Sequence, residues 1–254
     1  VASPEPGPGE VLVQLGAGGI CGSDLHYYFE GRNGSFVVRE PLIPGHEASG
    51  VIAAVGAGVT RVKVGDKAAI SPSHACGKCD YCREGREHLC TSMRFLGSAS
   101  LFPHVQGMFQ EYFVMGERQC YPATGDVSLG ELAFAEPLAV ALHALNRGKS
   151  LLGKSVLVTG VGTIGCLMVM AAKLAGAAKV TVSDVLDRPL AHVPLVNMRD
   201  ELADRGPDVV LSQALAEAIT RVMQNYCGAV KSDDLLHEGL RGLEDLKEAS
   251  KALV

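Results

Sequence analysis

The sequence predicts an α/β protein in two parts, an irregular and mostly β first domain followed by a parallel βαβ unit. Two observations carry this prediction. Residues 1–125 are rich in glycine and contain short β-branched runs at 10–14, 50–55 and 67–70, separated by glycine and proline turns. After residue 150, buried-type strands alternate with an apolar helical segment. A length of 254 residues with 47% apolar content allows two domains of ordinary size.

The elements of the second half follow a definite order. Alanine and leucine dominate residues 129–145, which predicts a helix. A strand at 154–159, a helix from about 164 to 175 and a second strand at 179–183 then form the βαβ unit. Weaker patterns beyond residue 184 predict one strand and two helices, at 207–211, 214–226 and 244–253.

Bulk properties exclude several classes of function. The net charge is −5 and the isoelectric point is near 5.9, which argues against a surface for nucleic acid or anionic membrane. The chain has no run of about 18 apolar residues that would span a membrane. Residues 1–9 lack an export signal, so we expect a cytoplasmic, reducing location in which thiolates can bind metal.

Four cysteines within fifteen residues form the most informative motif. Cys76, Cys79, Cys82 and Cys90 are spaced C-x2-C-x2-C-x7-C in a glycine-containing, charged segment. Four thiolates at this spacing can surround one tetrahedral zinc ion and leave no open coordination position. The motif therefore predicts a structural zinc, with a pair of disulfides or four unrelated thiols as the alternatives.

A glycine-rich turn joins the first strand of the βαβ unit to its helix. Gly160 allows a tight turn, Gly162 lets the backbone approach a pyrophosphate, and Gly165 lets the helix pack closely on the strand. Asp184 ends the second strand, where its carboxylate would accept hydrogen bonds from ribose hydroxyls and repel a 2′-phosphate. The pattern predicts NAD binding in preference to NADP. The loop positions expected at the cofactor are Gly160, Gly162, Thr163, Ile164 and Gly165.

A second group of metal-binding residue types lies upstream of the cysteine motif. Cys21, His46 and Glu47 offer a thiolate, an imidazole and a carboxylate, and three protein ligands with one open position define a catalytic zinc. Glu136, which precedes a helix, is an alternative to Glu47 or acts through a water. Asp24 is a candidate acceptor for the far N–H of His46. Each residue alone is more simply a buried thiol, a core histidine or a helix cap.

Taken in order, these motifs resemble the zinc-containing medium-chain dehydrogenase/reductase family of the alcohol dehydrogenase superfamily. The similarity covers residues 6–190 through the CGSDLHYY run at 21–28, GHE at 45–47, the four cysteines, AEPLA at 135–139 and GVGTIG at 160–165. Within this family the polyol and sugar-acid branch fits best. The segment 93–105 resembles L-idonate 5-dehydrogenases and their sorbitol and xylitol relatives.

The resemblance implies a fold and a set of roles. It implies a GroES-like zinc catalytic domain at 1–145, a shortened Rossmann NAD-binding domain at 146–232 and a C-terminal segment, 233–254, that returns to the catalytic domain. Ser23 and His26 would pass the substrate's alcohol proton to solvent, and Tyr27 would line the substrate pocket. The catalytic zinc and the structural zinc would make two per chain. The expected assembly is a homodimer or homotetramer.

The implied reaction is oxidation of a secondary alcohol of a polyol or aldonate to a ketone, with hydride transfer to NAD. A threonine or simple-alcohol dehydrogenase of the same family is an alternative, and a non-catalytic zinc- and dinucleotide-binding protein is another. The sequence departs from the family after Asp184, since 70 residues are too few for the remaining strands of a six-stranded sheet. We therefore expect either joined segments of a longer protein or a truncated protein with a defective cofactor domain.

Overall fold

A computed structural model describes residues 4–123 and 125–185. These residues divide into two compact units at Glu136/Pro137. The predicted domain limits stay predictions, and the domain predicted at 233–254 lies outside the described residues.

The described residues of the first unit contain nine strands, three helices and part of a fourth, together with two 3-10 helices at Glu87–Leu89 and Glu117–Gln119. Its strands are β1 (Glu10–Gly19), β2 (Arg32–Asn33), β3 (Phe36–Val37), β4 (Glu47–Val55), β5 (Lys67–Ile70), β6 (Ser73–His74), β7 (Arg94–Phe95), β8 (Tyr112–Gly116) and β9 (Cys120–Pro122). Its helices are α1 (Gly22–Glu30), α2 (Asp80–Arg83) and α3 (Leu129–Ala133), with α4 (Ala135–Arg147) beginning at its end.

A five-stranded antiparallel sheet in the order β8-β1-β4-β5-β9 organises this unit. The strands predicted from β-branched runs are present, and two of them extend further than predicted, because β1 reaches Gly19 and β4 begins at Glu47. Val11, Val13, Ile52 and Ile70 are fully buried in the core beneath the sheet. This packing fixes the strand register, since a slip of one residue would expose those side chains.

The helical segment predicted at 129–145 is present as two helices that meet at Phe134. Ser128 and Glu131 form a reciprocal capping box at the start of α3. Pro137 lies in the first turn of α4, where its missing N–H is tolerated. The same missing N–H denies the Ala133 carbonyl a partner four residues ahead, so one continuous helix is disfavoured.

Glu117 ties the loop before β5 to the end of β8. Its carboxylate oxygen Oε2 accepts the backbone N–H groups of Thr60 and Arg61 at 2.8 and 2.9 Å. These two hydrogen bonds lower the pKa of Glu117 from its ordinary value of 4.5, because they favour the ionised form.

The second unit contains the predicted βαβ arrangement. Strand β10 (Ser155–Thr159) leads through the glycine turn into α5 (Thr163–Leu174), and β11 (Lys179–Ser183) then pairs with β10 in parallel. Val158, Val161 and Val169 form its buried core. The strand and helices predicted at 207–211, 214–226 and 244–253 lie outside the described residues. Within the described ranges, no helix has the length and apolarity needed to cross a membrane.

Candidate metal centres and dinucleotide loop

Antiparallel pairing of β1 with β4 brings the first group of predicted ligands together. Gly19, the last residue of β1, pairs with Glu47, the first residue of β4, so Cys21 and His46 lie just beyond the end of the ladder. One ligand atom from each of Cys21, His46 and Glu47 lies within 4.8 Å of the others. A Cβ atom on Gly19 would overlap Oε2 of Glu47, so the bare glycine leaves room for that carboxylate.

Asp24 holds the two backbone segments that carry these side chains. Its Oδ2 accepts the backbone N–H of Cys21 at 3.0 Å, and its Oδ1 accepts that of Gly45 at 3.2 Å. Oδ1 is also 3.6 Å from Nδ1 of His46, which is beyond hydrogen-bond distance. The predicted contact with His46 is therefore electrostatic, and the hydrogen bonds of Asp24 go to backbone.

The electrostatics of this cluster suit a cation. Burial lowers the pKa of His46, but Asp24 and Cys21 outweigh it and raise the pKa to about 10. Hydrogen bonding to His46 lowers the pKa of Cys21 from its ordinary value of 9.0, which favours the thiolate. Nδ1 of His46 is buried without a hydrogen-bond partner. An imidazole, a thiolate and a carboxylate with ligand atoms this close together fit a zinc ion, since these are its usual ligand types.

The two candidate carboxylates occupy different positions. Glu47 belongs to the set within 4.8 Å, and burial raises its pKa from the ordinary value of 4.5. Glu136, in the first turn of α4, is outside that set but interacts electrostatically with His46 and Glu47. Burial raises the pKa of Glu136 to about 7. A metal-bound state thus has one carboxylate at the cluster and a second one nearby.

The predicted proton-relay and pocket residues all lie on α1. Ser23 is half-buried, and its interaction with Cys21 contributes to the lowered pKa of that thiol. His26 is exposed, and its Nδ1 lies 2.7 Å from Oε1 of Glu30. Tyr27 is buried, and its hydroxyl accepts the backbone N–H of Ala99 at 3.2 Å. This hydrogen bond ties Tyr27 to the segment after β7.

Sequence reasoning missed Phe95, whose ring centroid lies 5.5 Å from that of His46 at an interplanar angle of 57°. Phe95 reaches this position because β7 pairs with β6, where it lies opposite Ser73. A two-residue strand pairing across 20 residues leaves no periodic signal, so nothing in the sequence pointed to this contact.

The four cysteines of the second motif surround a common point. Their sulfur atoms all lie within 4.8 Å of one another, and the thiols are free. The 3.4 Å separation of the Cys79 and Cys82 sulfurs is far longer than a disulfide bond of ~2.05 Å. It is close to the ~3.8 Å that tetrahedral zinc–sulfur distances of ~2.3 Å imply. Backbone N–H groups of Cys82 and Thr91 lower the pKa of Cys79 to about 6, which favours a metal-binding thiolate.

The glycine turn has the geometry of a dinucleotide loop. Gly160 has a φ of 81°, in the left-handed region, and a Cβ on Gly165 would overlap the Gly160 carbonyl oxygen. Gly162 is the N-cap of α5 and has open space where a Cβ would be. Thr163 and Ile164 form the first turn of the helix. Free N–H groups at such a helix start favour a phosphate.

Asp184 follows β11 and lies beside this loop. Its Oδ2 accepts the backbone N–H of Val161 at 2.8 Å. An open cavity of about 500 Å³ is lined by Thr159, Gly160, Ser183, Asp184 and Val185. Thus the structure places the acidic residue and the loop glycine on one cavity, as expected for the ribose end of a dinucleotide.

Comparisons with known proteins agree with this arrangement. The profile of the alcohol dehydrogenase GroES-like domain matches residues 7–125. The L-idonate 5-dehydrogenase (NAD(P)(+)) of Escherichia coli K12 is 48% identical over 182 residues, which cover 71% of this chain and 52% of that protein. The sorbitol dehydrogenase of Bacillus subtilis is 39% identical over 220 residues, covering 81% and 61%.

Solved structures of dehydrogenases also resemble this chain. The crystal structure of E. coli L-idonate 5-dehydrogenase has a TM-score of 0.68 at 47% identity, covering 71% of this chain and 52% of that one. Galactitol-1-phosphate dehydrogenase from E. coli has a TM-score of 0.67 at 34% identity, covering 75% and 53%. The chain spans about half the length of the L-idonate 5-dehydrogenase that it matches.

The fold and the two donor clusters define a GroES-like domain of the zinc type, followed by the first βαβ unit of a dinucleotide-binding fold. The chain belongs to the zinc-containing medium-chain dehydrogenase/reductase family.

Proposed function

We propose that the protein is a zinc-dependent dehydrogenase that oxidises a secondary alcohol of a polyol or sugar acid, of the L-idonate type, to a ketone with NAD as hydride acceptor. The observation that carries this proposal is the cluster of Cys21, His46 and Glu47, in which one ligand atom from each residue lies within 4.8 Å of the others. The names of the relatives support the substrate class.

The first cluster would hold the catalytic zinc through Cys21, His46 and Glu47, with Glu136 as the nearby second carboxylate. A zinc ion there supplies Lewis acidity, which lowers the pKa of a substrate hydroxyl. Asp24 keeps the Cys21 and Gly45 backbones in place and adds a negative charge beside His46. Cys76, Cys79, Cys82 and Cys90 would hold the structural zinc.

The chain's own side chains would carry the proton. Ser23 lies next to Cys21 at the start of α1, where its hydroxyl can accept a hydrogen bond from the substrate hydroxyl. His26 lies three residues further along, on the same face of the helix, and is exposed to solvent. Glu30 pairs with Nδ1 of His26, so Nε2 is the nitrogen that takes the proton from Ser23 and releases it to water.

The glycine turn would hold the cofactor. NAD supplies the hydride acceptor when bound. The backbone between Gly160 and Gly165 would lie close to the pyrophosphate of NAD. Asp184 would exchange its hydrogen bond with Val161 for the ribose hydroxyls. Its carboxylate would repel the 2′-phosphate of NADP, which supports a preference for NAD. A cytoplasmic location and a homodimer or homotetramer stay predictions.

The full-length protein tests the proposal. Reduced-cofactor absorbance is followed with L-idonate, sorbitol, xylitol, threonine and a simple alcohol, each with NAD and with NADP. We expect turnover with a polyol or aldonate that a chelator abolishes and added zinc restores. Turnover that survives metal removal would refute the zinc chemistry, and no turnover of any substrate despite bound zinc and NAD would favour a non-catalytic protein.

Two matched variants separate the clusters. Cys21→Ser should abolish turnover and leave one zinc per chain with little loss of stability. Cys90→Ser should remove the other zinc and destabilise the first unit, because the cysteine segment loses its cross-link.

A further inference from the structure

The ring of Phe109 lies against two glycines that precede the predicted metal ligands. Gly18 is the penultimate residue of β1, three residues before Cys21, and Gly45 immediately precedes His46. A Cβ on Gly18 would be 2.7 Å from Cε1 of Phe109, and one on Gly45 would overlap Cδ1. Since carbon atoms pack at ~3.5–4.0 Å, the ring fills a slot that exists because both positions lack a side chain.

The backbone around Gly45 is held from several sides. Three hydrogen bonds of 2.7–3.1 Å run from the N–H groups of residues 107–109 to the carbonyls of residues 43–45. Asp24 accepts the N–H of Gly45. The φ of Gly45 is 96°, in the left-handed region, which other residues adopt only with strain. The segment that delivers His46 therefore has one well-defined path.

The β1–β4 ladder does not reach the ligands themselves. Its last pair is Gly19 with Glu47, so Cys21 lies two residues past the ladder on one strand and His46 lies one residue before it on the other. Their separation needs a restraint beyond the ladder's hydrogen bonds. The Phe109 ring lies against both segments at this point, since its Cδ1 and Cε1 atoms occupy the space that a Cβ on Gly18 and a Cβ on Gly45 would take.

We propose that Phe109 is a positioning residue for the Cys21–His46–Glu47 cluster, with its ring setting the distance between the end of β1 and the segment before β4. The proposal rests on the metal site of the proposed function. An aromatic ring has no metal-binding atom, so Phe109 acts through the backbones of Gly18 and Gly45. Residues that orient metal ligands from outside typically change metal affinity by about 10–100-fold when replaced.

The test compares Phe109→Leu with Phe113→Leu in the full-length protein. Phe113 lies on β8 and is buried in the core. It pairs with Val13, which is on β1 like Gly18 but lies away from the cluster. Two readouts are taken beside thermal stability. One is the visible spectrum of cobalt loaded at the cluster with zinc retained by the four cysteines. The other is the rate at which a chelator removes that cobalt, with zinc release from the cysteines as an internal control.

We expect Phe109→Leu to change the cobalt spectrum and speed release from the cluster about 10-fold, with release from the four cysteines unchanged. Phe113→Leu should lower the melting temperature and leave the spectrum and both release rates at the wild-type values. Gly18→Ala should act like Phe109→Leu, because its methyl displaces the ring. The double variant Gly18→Ala/Phe109→Leu should be milder than the sum of the single effects, since the smaller side chain leaves room for the methyl.

The outcomes separate this inference from the proposed function. If wild-type protein takes no metal at the cluster, the proposed function fails. The positioning role of Phe109 is then tested by the rate of Cys21 alkylation in metal-free protein, mapped by mass spectrometry. Faster alkylation of Cys21 in Phe109→Leu than in Phe113→Leu supports the positioning role. If metal binds and the two variants release it at the same rate with the same spectrum, Phe109 is not a positioning residue and the metal site stands.

Discussion

Replacing Asp24 by asparagine should weaken both the fold and the metal centre, because one carboxylate serves two backbone segments. Asp24 is 4% exposed, and its two oxygens accept N–H groups from Cys21 and Gly45. An asparagine keeps one oxygen acceptor and turns an NH2 group toward the other N–H, so one hydrogen bond is lost. Hydrogen bonds to a charged group contribute about 1.5–3 kcal/mol each, which is the expected loss in the free energy of unfolding.

The measurement is urea unfolding of wild type, Asp24→Asn and Asp24→Ala. Asp24→Ala should lose both hydrogen bonds, about 3–6 kcal/mol, which approaches the whole stability of a domain. Asp126→Asn makes the same chemical change at an exposed position and should be neutral. Zinc content should fall for Asp24→Asn, because the backbones of Cys21 and of Gly45, the residue before His46, lose their shared anchor. If Asp24→Asn matches Asp126→Asn in stability and zinc content, the assigned role of Asp24 is wrong.

Three other predictions follow from single contacts. Gly165→Ala should unfold or distort the second unit and abolish NAD binding, because its methyl would overlap the Gly160 carbonyl; a variant that binds NAD normally in calorimetry would contradict this. Glu117→Gln should lower the free energy of unfolding at neutral pH but not in acid. The pKa of Glu117 is lower in the folded protein than its unfolded value of 4.5, so its carboxylate stabilises the fold above pH 4.5, and this stabilisation is lost as the pH falls through the folded pKa. A difference in unfolding midpoint between variant and wild type that does not change with pH would contradict this prediction. Cys79→Ser should remove one zinc per chain by elemental analysis, whereas Cys120→Ser, at a buried thiol outside both clusters, should retain two; equal zinc content in the two variants would count against the cysteine site.

The sequence was sufficient for the elements with strong local patterns. Strands 67–70 and 179–183 have the predicted bounds, and the helix predicted from about 164 to 175 runs from Thr163 to Leu174. Local propensity and apolar periodicity control these segments, so the chain itself carries the signal. The break between α3 and α4 was missed because Ala- and Leu-rich composition outweighed the effect of Pro137.

The candidate site also contains one part that the sequence predicts and another that depends on tertiary structure. Close spacing alone indicated that the four cysteines could share an ion, because a short segment forces its own thiols together. The proximity of Cys21 and His46, in contrast, depends on the pairing of two strands. Sequence left Glu47 and Glu136 as alternatives, and the pairing of Gly19 with Glu47 is what brings the carboxylate of Glu47 within 4.8 Å of the other two ligands.

The amino-acid sequence by itself determined which kinds of ligand this protein carries, the glycine loop of its dinucleotide unit and the family to which it belongs, since each depends on residue types at short spacing. The tertiary structure alone decided that Asp24 binds two backbone segments, that Phe95 approaches His46 and that Phe109 lies across Gly18 and Gly45. The physical reason is that these contacts join residues far apart in the chain. They exist only after strand register and close packing have fixed the distances between them.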